Sequence, residues 1–188
     1  DNASQGVNLT NVAEGGLQSI TNIISEAKAL VVQASSGTLN DSQRSAIQSQ
    51  FNSLISEVDR IAEGTEFNGN KLLNGSLNGN AAEFNIQVGT DNNSSSKVNL
   101  NVIGNVDTES LGLNNLDLTS QSSAQNAIGN IDSAIQKVID VRGNVGSVQT
   151  RLTSVARTQK NAIEQLTDAA SKIEDADFAA EVSRLRQS

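Results

Sequence analysis

The sequence contains no His, Cys, Pro, Met, Trp or Tyr, and only four Phe among its 188 residues. Each absence closes a class of function. Without imidazole there is no Ser-His-Asp triad, no HExxH zinc protease and no imidazole metal site. Without cysteine there is no thiol nucleophile, no disulfide framework and no thiolate zinc site. With so few aromatics there is no platform for stacking bases or sugars. An enzyme built here would have to run on carboxylates, Lys, Arg or hydroxyls, and no catalytic residue, metal site or cofactor is expected.

Charge is also scarce, at 18% of residues, and its balance is acidic: 13 Lys and Arg against 21 Asp and Glu, net charge -8. No basic face can dominate such a surface, so nucleic acid is not an expected partner. Apolar runs such as Ala29-Leu30-Val31-Val32 fall far short of the roughly 20 residues that span a bilayer. No membrane partner or signal peptide is expected. The chain has no initiator Met and opens in a helical pattern, so it reads as a piece of a longer protein.

What is present is helical periodicity, uninterrupted because no proline breaks it. From about residue 3 to 36, Leu17, Ile20, Ile24, Ala27, Leu30, Val31 and Ala34 draw one stripe in steps of three and four. Gly37 is the expected stop. Asn40 with Gln43 forms a capping-box pattern that opens a second helix. Its stripe is Ile47, Phe51, Leu54, Val58 and Ile61, ending near Gly64. The short connection folds these two helices back antiparallel.

Turn signals follow at Asn68-Gly69, Asn74-Gly75 and Asn78-Gly79. Phe84, Ile86 and Val88 alternate with polar residues, as do Val98, Leu100 and Val102. These are two predicted strands joined by the polar turn 90–96. Ser122 with Gln125 marks a third helix start. Its stripe runs from Ile128 through Leu152 and Val155 to Ala162, Leu166, Ala169 and Ile173. Such a helix, roughly 75 Å long, can pack against both earlier ones.

The predicted fold is mainly α: an elongated antiparallel three-helix rod with a small β-hairpin region at one end. The expected organisation is one rod-like domain over 1–188, divided into a helical hairpin (1–64), a turn and β-hairpin region (65–121) and a long helix (122–188). Gly143 and Gly146, three apart in mid-helix, suggest a close backbone approach or a bend. The acids Asp168, Glu174, Asp175 and Asp177 lie on a continuing helix rather than a calcium loop. They, with Asp107 and Glu109, read as solvated charge.

Laid out this way, the chain resembles the bacterial flagellins. Ala13-Glu14-Gly15-Gly16-Leu17 is similar to the family's AEGAL, and Leu30-Val31-Val32-Gln33 with Gly37 and Thr38 to its LAVQ segment and the turn behind it. Glu57-Val58-Asp59-Arg60-Ile61-Ala62 followed by Thr65-Glu66-Phe67-Asn68-Gly69-Asn70-Lys71-Leu72-Leu73 resembles EIDRIA…TxFNGxKLL. Phe84 to Gly89 resembles the IQVG strand, and Leu111-Gly112-Leu113 the LGL after the hairpin. Arg142, Gly146, Gln149, Arg151 and Leu152 fall on RxxLGAxQNRL, and residues 170–181 resemble ASRIxDxDFAxE.

The resemblance implies a structural subunit of the extracellular flagellar filament, self-assembling into a helical propeller for swimming. It further implies a core domain without the terminal polymerisation helices or variable outer domains, monomeric alone. Implied partners are other flagellin subunits, the flagellar type III export apparatus with secretion chaperones, and an innate immune receptor. Arg60, Arg142, Arg151 and Glu181 are the implied contacts between helices or subunits. The implied receptor surface is Glu26, Lys28, Ala29, Leu30, Gln33 and Glu57. The family pattern has Arg at positions 26 and 28 and Glu at 29; the charge reversal at Glu26 and the loss of the guanidinium fork at Lys28 imply weakened recognition. Alternative readings are a hook-filament junction protein and a flagellin-like cell-surface binding protein.

Overall fold

A computed structural model describes residues 2–77 and 84–187, with side chains through Glu174. Four helices carry the fold: α1 (Asn2–Ala34), α2 (Asp41–Gly64), the single turn α3 (Thr108–Leu111) and α4 (Gln121–Gln187). Two antiparallel strand pairs accompany them. β1 (Glu66–Phe67) pairs with β2 (Asn70–Lys71), and β3 (Asn85–Gln87) with β4 (Lys97–Asn99).

α1 is the central strut. Its buried residues, Leu9, Ala13, Leu17, Ile20, Ile24, Ala27, Val31 and Ala34 among them, recur at helical spacing. They serve two neighbours, for α4 packs along the whole of α1 and α2 along its second half. α4 makes no comparable approach to α2. Between those two runs a strap, residues 100–118, whose Leu100, Ile103, Val106, Leu111, Leu113 and Leu118 are fully buried. The long helix therefore packs on α1 and the strap, where the sequence suggested packing on both earlier helices. Where α2 has ended, the β pairs take over against the first half of α1.

Polar side chains pin the strap. Asp59 on α2 accepts the Thr108 amide and hydroxyl, each at 2.8 Å. Gln48 takes the Leu118 amide at 2.6 Å and donates to the Leu116 carbonyl at 3.1 Å. From the other side Lys137 donates to the Ser110 carbonyl at 2.8 Å. Asp107 caps α3. Burial would raise its pKa, but the Ser110 amide and hydroxyl and the Asn105 amide outweigh that and hold it below the usual carboxylate range.

The turn between α1 and α2 is closed by a buried charge. Arg44, 6% exposed, donates Nε to the Ala34 carbonyl at 3.1 Å. It donates Nη1 to Leu39 and Nη2 to Ser36, each at 2.8 Å. The guanidinium thus satisfies the carbonyls that the end of α1 leaves open. Gly37 does not adopt the left-handed conformation expected of a helix stop; the side chain of Arg44 does that work. The capping box does form: the Gln43 amide donates to Asn40 Oδ1 at 2.9 Å, and the Asn40 amide to Gln43 Oε1 at 3.0 Å.

Four further expectations are corrected. α4 starts at Gln121, capped by Ser120, which takes the Ser123 amide at 3.1 Å; Ser122 lies two residues too late. The second strand ends at Asn99, because Asn99 Oδ1 captures the Asn101 amide and Asn101 Oδ1 takes that of Phe84. Val102 is thereby turned out to solvent. At Gly143 and Gly146 nothing lies within 4 Å of an added Cβ, and α4 passes through both unbroken. The fourth concerns the outer stripe of α4. Leu166 and Ile173 are exposed, as are Ala162 and Ala169.

The Asn68-Gly69 turn closes the first strand pair with both residues at positive φ, 50° and 79°. Asn78-Gly79 lies outside the described residues.

The glycine that does permit close approach is Gly16, where a Cβ would lie 2.6 Å from Thr65 Oγ1 and 2.8 Å from the buried Leu73 side chain. Gly16→Ala is expected to destabilise by about 1–3 kcal/mol through overpacking. Gly143→Ala, in open helix, is expected to stabilise by about 0.5–1 kcal/mol. Urea midpoints of the two variants against the parent check both signs.

Candidate interaction surfaces

The expected site residues lie along the α1–α4 seam and the adjoining face of α2. The seam is antiparallel and in register: Lys28 meets Asp132 at 2.6 Å, Glu14 meets Arg142, and Asn11 accepts from Gln149 at 2.6 Å. Arg142 donates both Nε (2.9 Å) and Nη2 (2.6 Å) to Glu14 Oε1. Roughly a third of each side chain stays exposed (31 and 36%), so the pair is partly withdrawn from water without incurring the full cost of charge burial.

Arg151 is exposed and donates to the Lys97 carbonyl at 3.2 Å, tying α4 to β4. Arg60 stays within its own helix: it grips Glu57 with both fork nitrogens, Nε to Oε2 at 2.7 Å and Nη2 to Oε1. That hydrogen bonding lowers the Glu57 pKa and raises that of Arg60. The side chain of Glu181 lies outside the described residues.

Of the expected receptor surface, Glu26, Ala29 and Gln33 are exposed at spacings of three and four, so they share one face of α1. Leu30 is half-buried against the core. Lys28 is engaged with Asp132, and Glu57 stands on α2, held by Arg60. Sequence reasoning missed the partners Asp132 and Glu14, the latch Arg44, and the strap anchors Asp59 and Gln48. Only Glu14 and Asp59 carried a signal, as members of the AEGGL and EVDRIA blocks.

The arrangement holds surfaces rather than a reaction chamber. A cleft of about 610 Å³ between α2 and the strap is lined by Gln48, Asn52, Asp59, Asn114 and Asp117. Its two carboxylates are already spoken for, Asp59 by Thr108 and Asp117 by Thr119, whose hydrogen bonds lower the Asp117 pKa. No base stands by to activate a hydroxyl. Among the described residues no group of three acidic side chains is gathered as a metal ion would require, and no helix is long and apolar enough to cross a membrane. Glu174 is exposed; the side chains of Asp175 and Asp177 lie outside the described residues.

Comparison with known proteins gives the context. Residues 1–78 match the profile of the bacterial flagellin N-terminal helical region, and residues 128–188 that of the C-terminal helical region. Flagellin B of Vibrio cholerae is 45% identical over 75 residues, which is 40% of this chain and 20% of that protein. Polar flagellin A of Vibrio parahaemolyticus is 43% identical over the same span and shares. The aligned part is thus about a fifth of the length of these relatives. Among solved structures, Bacillus cereus flagellin superposes with a TM-score of 0.70 at 28% identity, covering 83% of this chain and 86% of that one. FliC from Burkholderia pseudomallei, 20% identical with a TM-score of 0.61, covers 78% of this chain and 99% of its own, and shows the shared fold alone.

The seam pair yields a direct check. In a double-mutant cycle of Glu14→Ala and Arg142→Ala, the coupling is expected at about 1 kcal/mol, falling with added salt. Chemical denaturation at low and high salt measures it, and full additivity would remove the pair from the forces that hold α4 to α1.

Proposed function

This chain belongs to the bacterial flagellin family, and from that premise we propose that it is the rod-like core of a structural subunit of the extracellular flagellar filament. The observation that carries the reading is the fold: one long helix held in register on α1, in a chain that superposes over 83% of its length on a flagellin at TM-score 0.70. Residues 1–188 form one mechanical unit in this reading. Its work is to be stiff along its length and to present polar, exchangeable surface to neighbouring subunits.

The partners follow from that role. Other flagellin subunits contact the rod flanks, where Arg151 supplies charge with no ionic partner, while Arg60 is paired with Glu57 and Arg142 with Glu14 inside the rod; Glu181 is the further residue assigned to these contacts. Export in unfolded form through the flagellar type III apparatus, with its chaperones, suits a chain that carries no disulfide. A subunit held by surfaces of this kind needs no catalytic group, and this reading assigns none.

Recognition by an innate immune receptor is weakened. Glu26 presents a negative charge where the family pattern has Arg, and Lys28 offers a point charge already paired with Asp132. Ala29 gives no carboxylate. The α1 face that remains, Gln33 with half-buried Leu30, keeps only part of the pattern, and Glu57 on α2 is neutralised by Arg60.

Two experiments test these readings. Electron microscopy and swimming assays of cells lacking the parent gene are expected to show lost filaments and lost motility, restored by the full-length parent; normal filaments would overturn the principal-subunit reading. For the receptor, its ectodomain is expected to bind this core at least about tenfold more weakly than an ordinary flagellin core. Glu26→Arg with Lys28→Arg and Ala29→Glu is expected to recover affinity, and binding at ordinary strength without them would refute the proposal.

A further inference from the structure

Asn68-Gly69 and Asn74-Gly75 share a sequence but stand in opposite settings. In an Asn-Gly pair the backbone nitrogen of the glycine easily reaches the asparagine side-chain amide, because no side chain on the glycine obstructs it. Asn74 is half-buried and held at both ends. Its Nδ2 donates to Glu63 Oε2 at 3.3 Å, and its Oδ1 takes the Ser76 amide at 3.1 Å. Asn105 packs on Gly75, 3.0 Å from where a Cβ would stand. Asn68 is exposed, and its side chain hydrogen-bonds to no described residue. Nothing lies within 4 Å of a Cβ placed on Gly69. The strand pairing runs through Glu66, Phe67, Asn70 and Lys71, and leaves the Gly69 nitrogen unengaged.

We propose that Asn68 is a site of self-modification in the folded protein, converted through a cyclic imide, with Asn74 as its shielded counterpart. The Gly69 nitrogen, its proton given up to hydroxide, attacks Asn68 Cγ. The new N–Cγ bond closes a succinimide ring as the Cγ–Nδ2 bond breaks. The amide nitrogen leaves as ammonia, taking a proton from water and regenerating hydroxide. Water then opens the ring at one of its two carbonyls. Opening at Cγ leaves aspartate. Opening at the main-chain carbonyl leaves isoaspartate, with the chain routed through the side-chain carbon.

Asn68 and Gly69 hold φ at 50° and 79°, the left-handed values that a two-residue hairpin turn needs. Ring closure turns this tip, and the open space around Gly69 lets it turn. At Asn74 the same movement gives up two side-chain hydrogen bonds and presses on Asn105, which slows it roughly tenfold or more. The aspartate product still suits the turn. The isoaspartate product lengthens the main chain between Phe67 and Asn70, so the turn that sets their register no longer closes. Either product adds negative charge to a chain already at -8. The chemistry belongs to the folded chain, whatever it assembles into.

Peptide mapping by mass spectrometry, after incubation of the whole chain at mildly alkaline pH, tests this. Trypsin places Asn68 in 61–71 and Asn74 in 72–97, where fragmentation assigns the position. In the folded chain Asn68 is expected to convert, giving separable aspartate and isoaspartate products, roughly tenfold or more ahead of Asn74. In guanidinium chloride the two are expected to react at similar rates, because only the shared Asn-Gly sequence then remains. Glu63→Ala, at an exposed position, is expected to speed Asn74 severalfold in the folded chain and to leave Asn68 unchanged. An intact Asn68 in the folded chain, equal rates at the two sites there, or a difference that survives denaturation would each overturn the inference. So would an Asn74 rate that Glu63→Ala does not move.

Discussion

The rod depends on the width of the apolar face of α1. A narrow stripe would serve one neighbour; this one is broad enough for α4 on one side and α2 on the other, with Leu17, Ile20, Ile24 and Val31 fully buried between them. Because α2 covers only the second half of α1, the first half needs another cover, and the β pairs supply it. The strap fills the remaining groove between α2 and α4. Each of these elements is placed by a demand that α1 makes, met chiefly by burial at about 25 cal/mol per Å² and, toward α4, by the Glu14–Arg142 and Lys28–Asp132 pairs.

Most of this framework is legible in the sequence, because amphipathic periodicity is a property of a single helix and needs no partner to be recognised. The capping box at Asn40 and the Asn68-Gly69 turn are equally local. What was not legible is non-local. Gly37 looks like a helix stop, but a side chain ten residues beyond Ala34 competes for the same carbonyls and wins. Gly143 and Gly146 look like a packing notch, yet nothing lies within 4 Å of a Cβ added at either, while Gly16 meets Thr65 and Leu73. The end of the second strand is set by Asn99 and Asn101 capturing backbone amides, a competition invisible to a count of alternating residues.

The same division holds for the surfaces. Arg142 could be singled out from a motif, but its partner, Glu14, lies 128 positions away, and no spacing rule joins them. Of the strap anchors on α2, Asp59 lies in a motif block that does not name its partner Thr108, and Gln48 is indistinguishable by sequence from Asn52 or Ser56. In the proposed filament role this has a physical sense. Rigidity comes from pairs that are satisfied within the subunit, and exchangeable contacts come from charges such as Arg151 that have only one weak backbone partner.

The Glu14–Arg142 pair also sets a kinetic order. The α1–α2 hairpin closes over a few residues, so its entropic cost is small and Arg44 can fasten it as soon as both helices exist. The other side of α1 waits for a helix that begins more than a hundred residues later, so contact order rather than helix formation governs how fast the rod is completed. Until α4 arrives, half of the apolar face of α1 is open to water. A chain released with its first helix ahead of its last would spend that interval as a sticky half-rod, and the time for which it needs shielding is the time it takes α4 to find α1.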